Sequence, residues 1–374
     1  MPEPLPVVPP PASAPNPAAA PAAPAGSPAP EAGRLSLARW RNPWRALPRV
    51  RWVIQGAYLG FFALVGWEFS RWFDEIRAGA EVHAARPGAV EGFLPIAALV
   101  GLRRFLATGQ WDEVHPAGLT ILLAAIATAL LARKAFCSWV CPVGAISRLL
   151  EALGRRTLWR RRWPEVPRWI DLPLTGAKYL LLGFFVNTVF FGMPTEAVDA
   201  FVHSPYNLAA DAKMLLLFAD LSGTGIAVLA GLALLSLVVK HAWCRWLCPY
   251  GALLGIASWL SPQLVRRDAA TCNDCRACTR ACPAEIPVHR RLRVLSPECT
   301  GCMSCVAACT VPDCLTVTGK GRRGLPPWTV PATALAVMLG AWALARATGH
   351  WDTAVPLRAF RWAYEAMGVG ATGP

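Results

Sequence analysis

Hydrophobic residues are concentrated in five long apolar segments of the chain. They cover residues 52–69, 116–132, 172–193, 221–239 and 327–345. Each has roughly the 17–25 largely apolar residues that a tilted helix needs to cross the hydrocarbon core of a membrane. Residues 93–102 are also apolar but too short to span, so we expect an interfacial or re-entrant helix there. The pattern predicts an α-helical integral membrane protein with about five transmembrane helices.

Lys and Arg residues in the loops predict how these helices are oriented. The loop between the second and third segments is strongly basic, whereas Lys213 is the only Lys or Arg in the loop of residues 194–220. The basic residues of the former loop are Arg133, Lys134, Arg148, Arg155, Arg156, Arg160, Arg161, Arg162 and Arg168. Because basic loops tend to stay in the cytoplasm, we expect a multi-pass protein of the cell inner membrane. Residues 241–325 then lie in the cytoplasm, and residues 70–115 and 194–220 face outward.

Composition agrees with a membrane protein: 55% of the residues are hydrophobic and only 16% are charged. The net charge of +14 comes mainly from residues beside the apolar segments. Membrane topology and anionic lipid head groups explain this charge better than nucleic acid does, so no nucleic-acid partner is expected. Lys178 lies near the start of the third segment, and we expect its side chain to reach toward the head groups.

The chain divides into five predicted regions. Residues 1–33, rich in Pro and Ala, are expected to be disordered, without the features of a signal peptide. Residues 34–240 form a membrane domain with four spans, 241–325 a cytoplasmic region, 326–346 the fifth span and 347–374 an outward tail. Apolar residues of the tail recur at helical spacing, which is typical of either an amphipathic helix on the outer leaflet or a packing face. They are Leu357, Phe360, Tyr364 and Met367.

Eight of the thirteen cysteines lie in two runs between residues 272 and 309. Each run reads C-x2-C-x2-C-x3-C, a spacing that ferredoxins use for [4Fe–4S] clusters and that zinc sites do not. In two-cluster ferredoxins the fourth ligand of each cluster comes from the other run. We therefore predict one cluster on Cys272, Cys275, Cys278 and Cys309, and a second on Cys299, Cys302, Cys305 and Cys282. The surrounding residues, about 263–318, are expected to form an inserted bacterial-type ferredoxin domain of the α+β class.

Another cysteine motif, C-x3-C-P-x-G-A, occurs once in residues 133–150 and again in residues 240–257. Cys137 corresponds to Cys244, and Cys141 corresponds to Cys248. Repeats in membrane proteins often place function at their interface. The four thiols could ligate a further metal centre or a transient copper ion, act as redox-active thiols, or be structural. Cys314, the remaining cysteine, is left unassigned, because a lone extra thiol is more often a packing residue than a ligand.

Together these motifs resemble the membrane-bound polyferredoxins of the NapH, MauN, NosR and CcoG type. FCSWVCPVGA, WCRWLCPYGALLG, the double ferredoxin run and EGFLPIAALVGLRRFL carry the resemblance, which covers roughly residues 50–325. By resemblance, such proteins move electrons between the quinone pool and a partner redox protein, or act in copper or cluster maturation. The implied partners are membrane lipid, quinone, and a redox protein or a reductase or dehydrogenase complex.

The predicted function is single-electron transfer through two [4Fe–4S] clusters, as in a quinol dehydrogenase-type subunit. The alternatives are a copper reductase or metallocentre-assembly factor that uses the repeat thiols, and a redox-sensing membrane regulator. Candidate proton acceptors of a quinone site are His115, beside Asp112 and Glu113, and His203, beside Asp199. Several arginines near the clusters are expected to stabilise the reduced form, and they either dock an acidic electron carrier or form a solvated basic face beside anionic lipid. They are Arg276, Arg280, Arg290, Arg291 and Arg293.

Overall fold

The structure, a computed structural model of the chain, describes residues 42–79, 81–158, 166–319 and 324–369. The predicted disorder of residues 1–33 lies outside these residues, as do Arg160, Arg161 and Arg162. The α-helices are α1 (Leu47–Arg77), α2 (Pro95–Thr108), α3 (Pro116–Ala132), α4 (Ala135–Trp139), α5 (Pro142–Thr157), α6 (Arg168–Val186), α7 (Thr195–Val202), α8 (Pro205–Leu208), α9 (Ala210–Ala219), α10 (Gly223–Val238), α11 (Pro249–Ala257), α12 (Ala277–Arg280), α13 (Ser304–Ala307), α14 (Thr329–Thr348) and α15 (Leu357–Ala366). The 3-10 helices are Pro43–Ala46, Gly88–Phe93, Ser258–Leu260 and Val288–Arg290, and the π-helices are Asn187–Gly192 and Trp243–Leu247.

Three helical segments of the described chain are long and apolar enough to cross a membrane. They are Pro43–Arg77, Arg168–Gly192 and Thr329–Thr348; the first contains the first predicted span, and the other two overlap most of the third and fifth predicted spans. The fourth predicted span corresponds to α10, whose axis makes an angle of 79° with that of the preceding helix α9. The second predicted span corresponds to α3, which begins and ends where the pattern predicts. It has 17 residues, the lower limit for a helix that spans a membrane. The chain is therefore a mostly helical, membrane-associated protein.

Helix α3 is the most enclosed of the long apolar helices. Its alanines at positions 117, 125, 129 and 132 have no exposed surface. Small side chains let neighbouring helices approach closely, which accounts for its packing against α2, α11 and α14. The apolar segment at residues 93–102 forms most of α2, which packs against α3 and buries Leu99 and Val100 in the protein. Its interfacial or re-entrant position in a membrane stays a prediction.

Two apolar cores lie at opposite ends of α1 and α3. The first contains Leu47 from the start of α1 and Ala132 from the end of α3, together with residues of the cysteine-rich insert. The second contains Phe69 from the later part of α1 and Val114 from just before α3. Both helices therefore connect the core beside the insert to the other core.

A small antiparallel sheet closes the cysteine-rich insert. Its strands are β1 (Leu264–Arg267), β2 (Leu315–Thr318) and β3 (Gly324–Leu325), in the order β1-β2-β3. The register pairs Val265 with Val317, and both side chains are buried in the first core. Because β1 precedes the first cysteine run and β2 follows the second, their pairing brings the ends of the insert together.

The C-terminal tail folds back onto the protein. Phe360 and Tyr364 of α15 are buried and make edge-to-face contacts with Trp72, and Tyr364 also contacts Phe73. Ring centroids lie 5.5–6.2 Å apart in these pairs, within the range of favourable aromatic contacts. Of the two interpretations of the tail, the packing face is the one that the structure supports.

Candidate functional site

Two cavities in the insert are each lined by four cysteines of the ferredoxin runs. Cys272, Cys275, Cys278 and Cys309 line the first thiol cavity, and Cys282, Cys299, Cys302 and Cys305 line the second. Each cavity takes three cysteines from one run and the fourth from the other, which is a crossed grouping. That these thiols ligate clusters stays a prediction. Cys314 also lines the first thiol cavity, where it is buried and its Sγ lies 3.6 Å from the Asp268 carbonyl oxygen.

The two runs fold in the same way around their cavities. In each run the second cysteine is followed by a residue in the left-handed conformation, Arg276 with φ 58° and Met303 with φ 57°. A four-residue helix then carries the third cysteine, Cys278 in α12 and Cys305 in α13. The left-handed residue reverses the chain, so that cysteines three apart can face one cavity. The spacing of the runs thus determines the local shape of both sites.

Side chains of the membrane helices hold the second run in place through its carbonyl groups. Arg51 of α1 donates to the Cys302 carbonyl oxygen at 3.1 Å. In α4, the Ser138 hydroxyl donates to the Thr300 carbonyl oxygen at 2.6 Å, and Trp139 Nε1 donates to that of Gly301 at 3.1 Å. Asn42 donates to the Cys309 carbonyl oxygen at 3.0 Å. The second thiol cavity is therefore fixed directly against α1 and α4.

The electrostatics of the second thiol cavity favour a bound cationic group. Burial would raise the pKa of Cys302, but the nearby Arg51 guanidinium and hydrogen bonds from Ser304 lower it overall. Burial and neighbouring thiols raise the pKa of Cys305 well above its usual range. Four thiolates so close together are not stable in an apolar enclosure unless cations compensate their charge. Iron would supply that charge, so the donor set fits an iron–sulfur cluster.

Arginines near the cavities differ in their exposure. Arg276 lines the first thiol cavity, and Arg280 donates to the Cys275 carbonyl oxygen at 3.0 Å. The side chains of Arg290, Arg291 and Arg293 are exposed at the surface of the insert. Sequence reasoning missed Arg51, because its proximity to Cys302 arises from a contact between residues 251 positions apart.

The four cysteines of the two C-x3-C-P motifs also converge. Ser147, in the first copy, places its Oγ 3.6 Å from Cys244 Sγ in the second. Burial, followed by the charges of neighbouring thiols, raises the pKa of Cys244 to about 12. Among the described residues, no three His, Cys, Asp or Glu side chains are grouped closely enough to hold a single metal ion.

Comparison with known proteins identifies the family that carries these cysteine motifs. A family described as "4Fe-4S binding domain" matches residues 114–162 and 221–268, each containing one C-x3-C-P copy. Another, described as "4Fe-4S dicluster domain", matches residues 264–310. The chain is 40% identical over 337 residues to "Putative electron transport protein YccM" of Escherichia coli (strain K12), covering 88% of this chain and 92% of that protein. The chain belongs to the membrane-bound 4Fe-4S polyferredoxins.

Other relatives of this polyferredoxin are more distant. It is 27% identical over 310 residues to "Ferredoxin-type protein NapH" of Escherichia coli (strain K12), which covers 79% of this chain and 97% of that protein. It is 30% identical over 184 residues to "Regulatory protein NosR" of Pseudomonas aeruginosa, covering 47% of this chain and 24% of that protein. No solved structure matches the chain. The polyferredoxin is thus an electron transport protein with ferredoxin-type 4Fe–4S domains.

Glu298 is the anionic centre of the contact between the insert and the membrane helices of the polyferredoxin. Its carboxylate accepts hydrogen bonds from Lys134 Nζ at 3.2 Å, from Lys178 Nζ, and from the Tyr179 hydroxyl at 2.9 Å. The prediction that Lys178 reaches toward the lipid head groups is wrong, because its side chain is fully buried on Glu298. The carboxylate lies 120 positions away in sequence, so local spacing did not reveal it.

His115 is enclosed in a buried network of charged side chains. Its Nε2 lies 2.9 Å from the Asn207 carbonyl oxygen, and its Nδ1 lies 3.5 Å from a Glu91 carboxylate oxygen. Glu91 in turn pairs with Arg86 at 2.7 Å. Asp112 does not contact the imidazole but accepts the backbone N–H of His115. The imidazole has no exposed surface, whereas a proton acceptor for quinol needs an open face.

His203 has the exposure that His115 lacks. Its side chain is 46% exposed, and Nδ1 lies 3.0 Å from the Asp199 carbonyl oxygen. The Asp199 carboxylate accepts a hydrogen bond from Arg104 Nε at 2.9 Å and lies 3.9 Å from the imidazole. The sequence neighbours predicted to flank His203 are therefore beside it, although a role in quinone chemistry stays a prediction.

Proposed function

We propose that this polyferredoxin passes single electrons between the quinone pool, or a cytoplasmic donor, and a partner redox system through two [4Fe–4S] clusters. The observation that carries the proposal is the presence of two thiol cavities, each lined by four cysteines in the crossed grouping. Cys272, Cys275, Cys278 and Cys309 would hold one cluster, and Cys282, Cys299, Cys302 and Cys305 the other. When bound, such clusters accept and donate one electron at a time.

Residues around the two thiol cavities would set the reduction potentials of the clusters and the access of water to them. Arg51 brings positive charge to Cys302, and the backbone N–H of Asp274 lowers the pKa of Cys272. Both interactions favour thiolate and stabilise added negative charge, which raises a reduction potential. Val265 and Ile286 line the second thiol cavity and limit the access of water to it. In the first cavity, by contrast, Cys275 is exposed at the surface.

The proposal includes five membrane crossings, with the insert on the cytoplasmic side of the inner membrane. Support comes from the helices that connect the two apolar cores. In α6, Lys178 contacts the insert, and the π-helical turn that follows this helix places Val189 in the opposite core. Helix α14 likewise has Val330, near its start, in the core beside the insert, and leads to Trp351 beside the opposite core. The basic loop containing α5 lies at the insert end, as the positive-inside rule requires.

The exposed basic surface of the insert is the proposed docking site for an acidic redox partner. The Val288–Arg290 turn borders both cavities, and its last residue, Arg290, is exposed, as are Arg291 and Arg293 just after it. Clustered positive charge steers an acidic protein to this surface and speeds its association at low ionic strength.

At the end of the membrane helices away from the insert, His203 is the proposed proton acceptor for quinol, because its imidazole is exposed.

The copper-reductase alternative has less support. It would depend on the C-x3-C-P thiols alone, which are soft ligands that suit Cu(I). The electron-transfer proposal requires only the cysteine grouping that the cavities display.

Substitution of Cys282 tests the proposed crossed ligation. In the full chain purified anaerobically in detergent, Cys282→Ser should remove the cluster associated with Cys299, Cys302 and Cys305 and lower the iron content by about four atoms. The EPR signal of the other cluster should remain. Loss of the cluster associated with Cys272 instead would show that each run binds its own cluster.

A matched control is Cys314→Ser, which removes a buried thiol that the proposal leaves without a ligand role. It should retain both clusters, and loss of a cluster in this variant would contradict the ligand assignment.

Addition of menaquinol or ubiquinol analogues to the oxidised protein should produce the EPR signals of reduced clusters. If neither quinol changes these signals, quinol is not the electron donor, although a cytoplasmic donor remains compatible with the proposal.

A further inference from the structure

Helix α5, in the basic loop that follows α3, has its polar side buried and its apolar side exposed. The buried side carries Ser147, Arg148 and Glu151, with small residues between them. The outward side carries four exposed aliphatic side chains at intervals of three or four residues, which we call the apolar stripe. They are Val143, Ile146, Leu149 and Leu153. Because this spacing places them on one face of the helix, α5 shows the reverse of the arrangement expected for a helix beside water.

Partners within the protein hold the polar side of α5 in this orientation. Arg148 donates to Gln55 Oε1 and to the Pro48 carbonyl oxygen, both at 3.0 Å. The Glu151 carboxylate lies 3.1 Å from His241 Nε2. Turning the apolar stripe inward would break these contacts and leave charged groups unpaired, which is costly in a buried environment. The outward position of the apolar stripe is therefore fixed by the packing of the opposite face.

Tryptophans indicate the depth at which α5 lies in the membrane. The Arg148 guanidinium carbon is 4.3 Å from the centroid of the Trp52 ring, which belongs to the second turn of α1. Trp52 and Trp328 are both exposed, and they are close in sequence to Leu47 and Val330 of the core beside the insert. Tryptophan is enriched where membrane helices pass from hydrocarbon to head groups. Helix α5 therefore lies at the level of this boundary, at the insert end of the spans.

The surroundings of the apolar stripe match the chemistry of a phospholipid. Helix α5 packs against the predicted spans α1 and α10, whose exposed side chains include Val53 and Val238. The apolar stripe thus extends the surface that these spans present to lipid. Arg155 and Arg156, in the last turn of α5, are exposed, as is Arg49 near the start of α1. Guanidinium groups at such positions pair readily with phosphate oxygens.

We infer that α5 is an interfacial helix, whose apolar stripe lies among the acyl chains of the leaflet at the insert end. Arg155 and Arg156 bind the anionic head groups of the same leaflet. Binding of this kind combines the burial of apolar area with attraction to anionic lipid. The inference goes beyond the proposed function, because it depends on neither the clusters nor electron transfer. It places a helix of the basic loop in the membrane surface instead of in water.

A protein partner would also cover an apolar surface, but the composition of the apolar stripe favours lipid. The centres of protein interfaces are enriched in aromatic side chains, which supply most of their binding energy. The apolar stripe contains aliphatic side chains only, like the exposed surface of a membrane span. Lipid is therefore the occupant to which the inference commits.

Quenching by brominated lipid tests the position of the apolar stripe. In three variants of the full chain, one exposed leucine is replaced by the environment-sensitive fluorescent amino acid Anap, and the protein is reconstituted in nanodiscs of phosphatidylcholine and phosphatidylglycerol. Leu149, which is 53% exposed, reports on the apolar stripe. Leu64, 63% exposed in the middle of α1, is the membrane control. Leu292, 60% exposed in the insert, is the water control.

The apolar face of an interfacial helix lies only about 5–10 Å into the boundary between head groups and acyl chains. Bromine near the head group should therefore quench the probe at Leu149 more than bromine near the chain end. The order should be reversed at Leu64, and neither lipid should quench at Leu292. Iron content equal to that of the unsubstituted chain shows that each variant is folded. If the Leu149 variant does not fold, Ile146 of the same stripe carries the probe.

Quenching at Leu149 no greater than at Leu292 would overturn the inference. Blue-shifted emission would then identify a protein, such as a second copy or a redox partner, as the cover of the apolar stripe, and red-shifted emission would identify water. Quenching at Leu149 with the deep profile of Leu64 would overturn the interfacial position in favour of a re-entrant helix. None of these outcomes bears on the clusters, so the proposed function is tested separately.

Brominated phosphatidylglycerol tests the preference for anionic head groups. At equal bromine content it should quench the probe at Leu149 more than brominated phosphatidylcholine does, because the two arginines concentrate anionic lipid beside it. Arg156→Glu should reduce this difference. The matched control is Arg346→Glu, which reverses an exposed arginine in the last turn of α14 and should leave the difference unchanged. Equal quenching by the two lipids in the protein with both arginines present would refute the head-group assignment.

Discussion

Replacing Gly144 with alanine adds one methyl group at the tightest contact of the first repeat. A Cβ atom there would lie 2.0 Å from the Cys137 carbonyl oxygen and 3.2 Å from its carbon. The obstacle is backbone, which cannot rotate out of the way as a flexible side chain can. Ordinary contact begins at 3.4 Å, so the Cys137 carbonyl would have to move by roughly 1.4 Å.

The equivalent glycine of the second repeat provides a matched control. A Cβ atom on Gly251 would have the Cys244 carbonyl oxygen as its nearest neighbour at 3.5 Å, an ordinary contact. The first cysteine of this copy lies in a π-helix rather than an α-helix, and its carbonyl oxygen is farther from the glycine. The same substitution therefore has different expected consequences at two positions with the same motif.

Overpacking of a well-packed core typically costs 1–3 kcal/mol, and the severity of this contact indicates about 3 kcal/mol for Gly144→Ala. For a chain of this length, this corresponds to a fall of roughly 4 °C in the thermal midpoint. Gly251→Ala should change stability by no more than about 1 kcal/mol, in the stabilising direction, because alanine favours the helix.

Thermal unfolding of the detergent-solubilised protein, followed by tryptophan fluorescence, measures the difference between the two variants. Iron content should be measured in parallel, because Ser138 and Trp139, which follow Cys137, hydrogen-bond to the second cysteine run. Equal midpoints for Gly144→Ala and Gly251→Ala would refute the reasoning. It would show that the first repeat relaxes around the methyl group without strain.

Two further predictions concern buried carboxylates. Glu298→Gln leaves Lys134 and Lys178 buried without a counter-charge, so it should destabilise the protein by about 3–5 kcal/mol; a midpoint unchanged from wild type would contradict this. Burial would raise the pKa of Glu151, but His241 and Arg155 lower it to about 2. This depressed pKa means that Glu151 stabilises the fold above pH 4.5 and loses that contribution as the pH falls toward 2. The midpoints of wild type and Glu151→Gln should therefore converge over this range, and a constant gap would count against the assignment.

Several elements were predictable because their signals are local. The limits of α3 follow from an apolar run between Pro116 and the basic pair Arg133 and Lys134. The four-residue helices of the insert and the left-handed residues before them follow from cysteine spacing that recurs in both runs. The duplication of C-x3-C-P was likewise visible directly.

Other features depended on distant partners, and the prediction for Lys178 failed for that reason. Lys178 looked like a residue at the membrane edge, since nothing near it in sequence carries a compensating charge. Only the fold places Glu298 beside it and thereby buries both groups. His115 seemed to belong with Asp112, yet its imidazole faces Glu91 and the Asn207 carbonyl oxygen. The choice between packing and lipid contact for α15 also depended on where α1 ends.

The amino-acid sequence by itself determined the apolar segments, the cysteine runs and their pairwise repetition, because each depends on the spacing of residues close together in the chain. The tertiary structure decided which thiols share a cavity, which charges are buried together and how the insert contacts the membrane helices. Those features depend on contacts such as Arg51 with Cys302 and Lys134 with Glu298. Residues so far apart in the chain approach each other only when whole helices pack, and no local spacing specifies that.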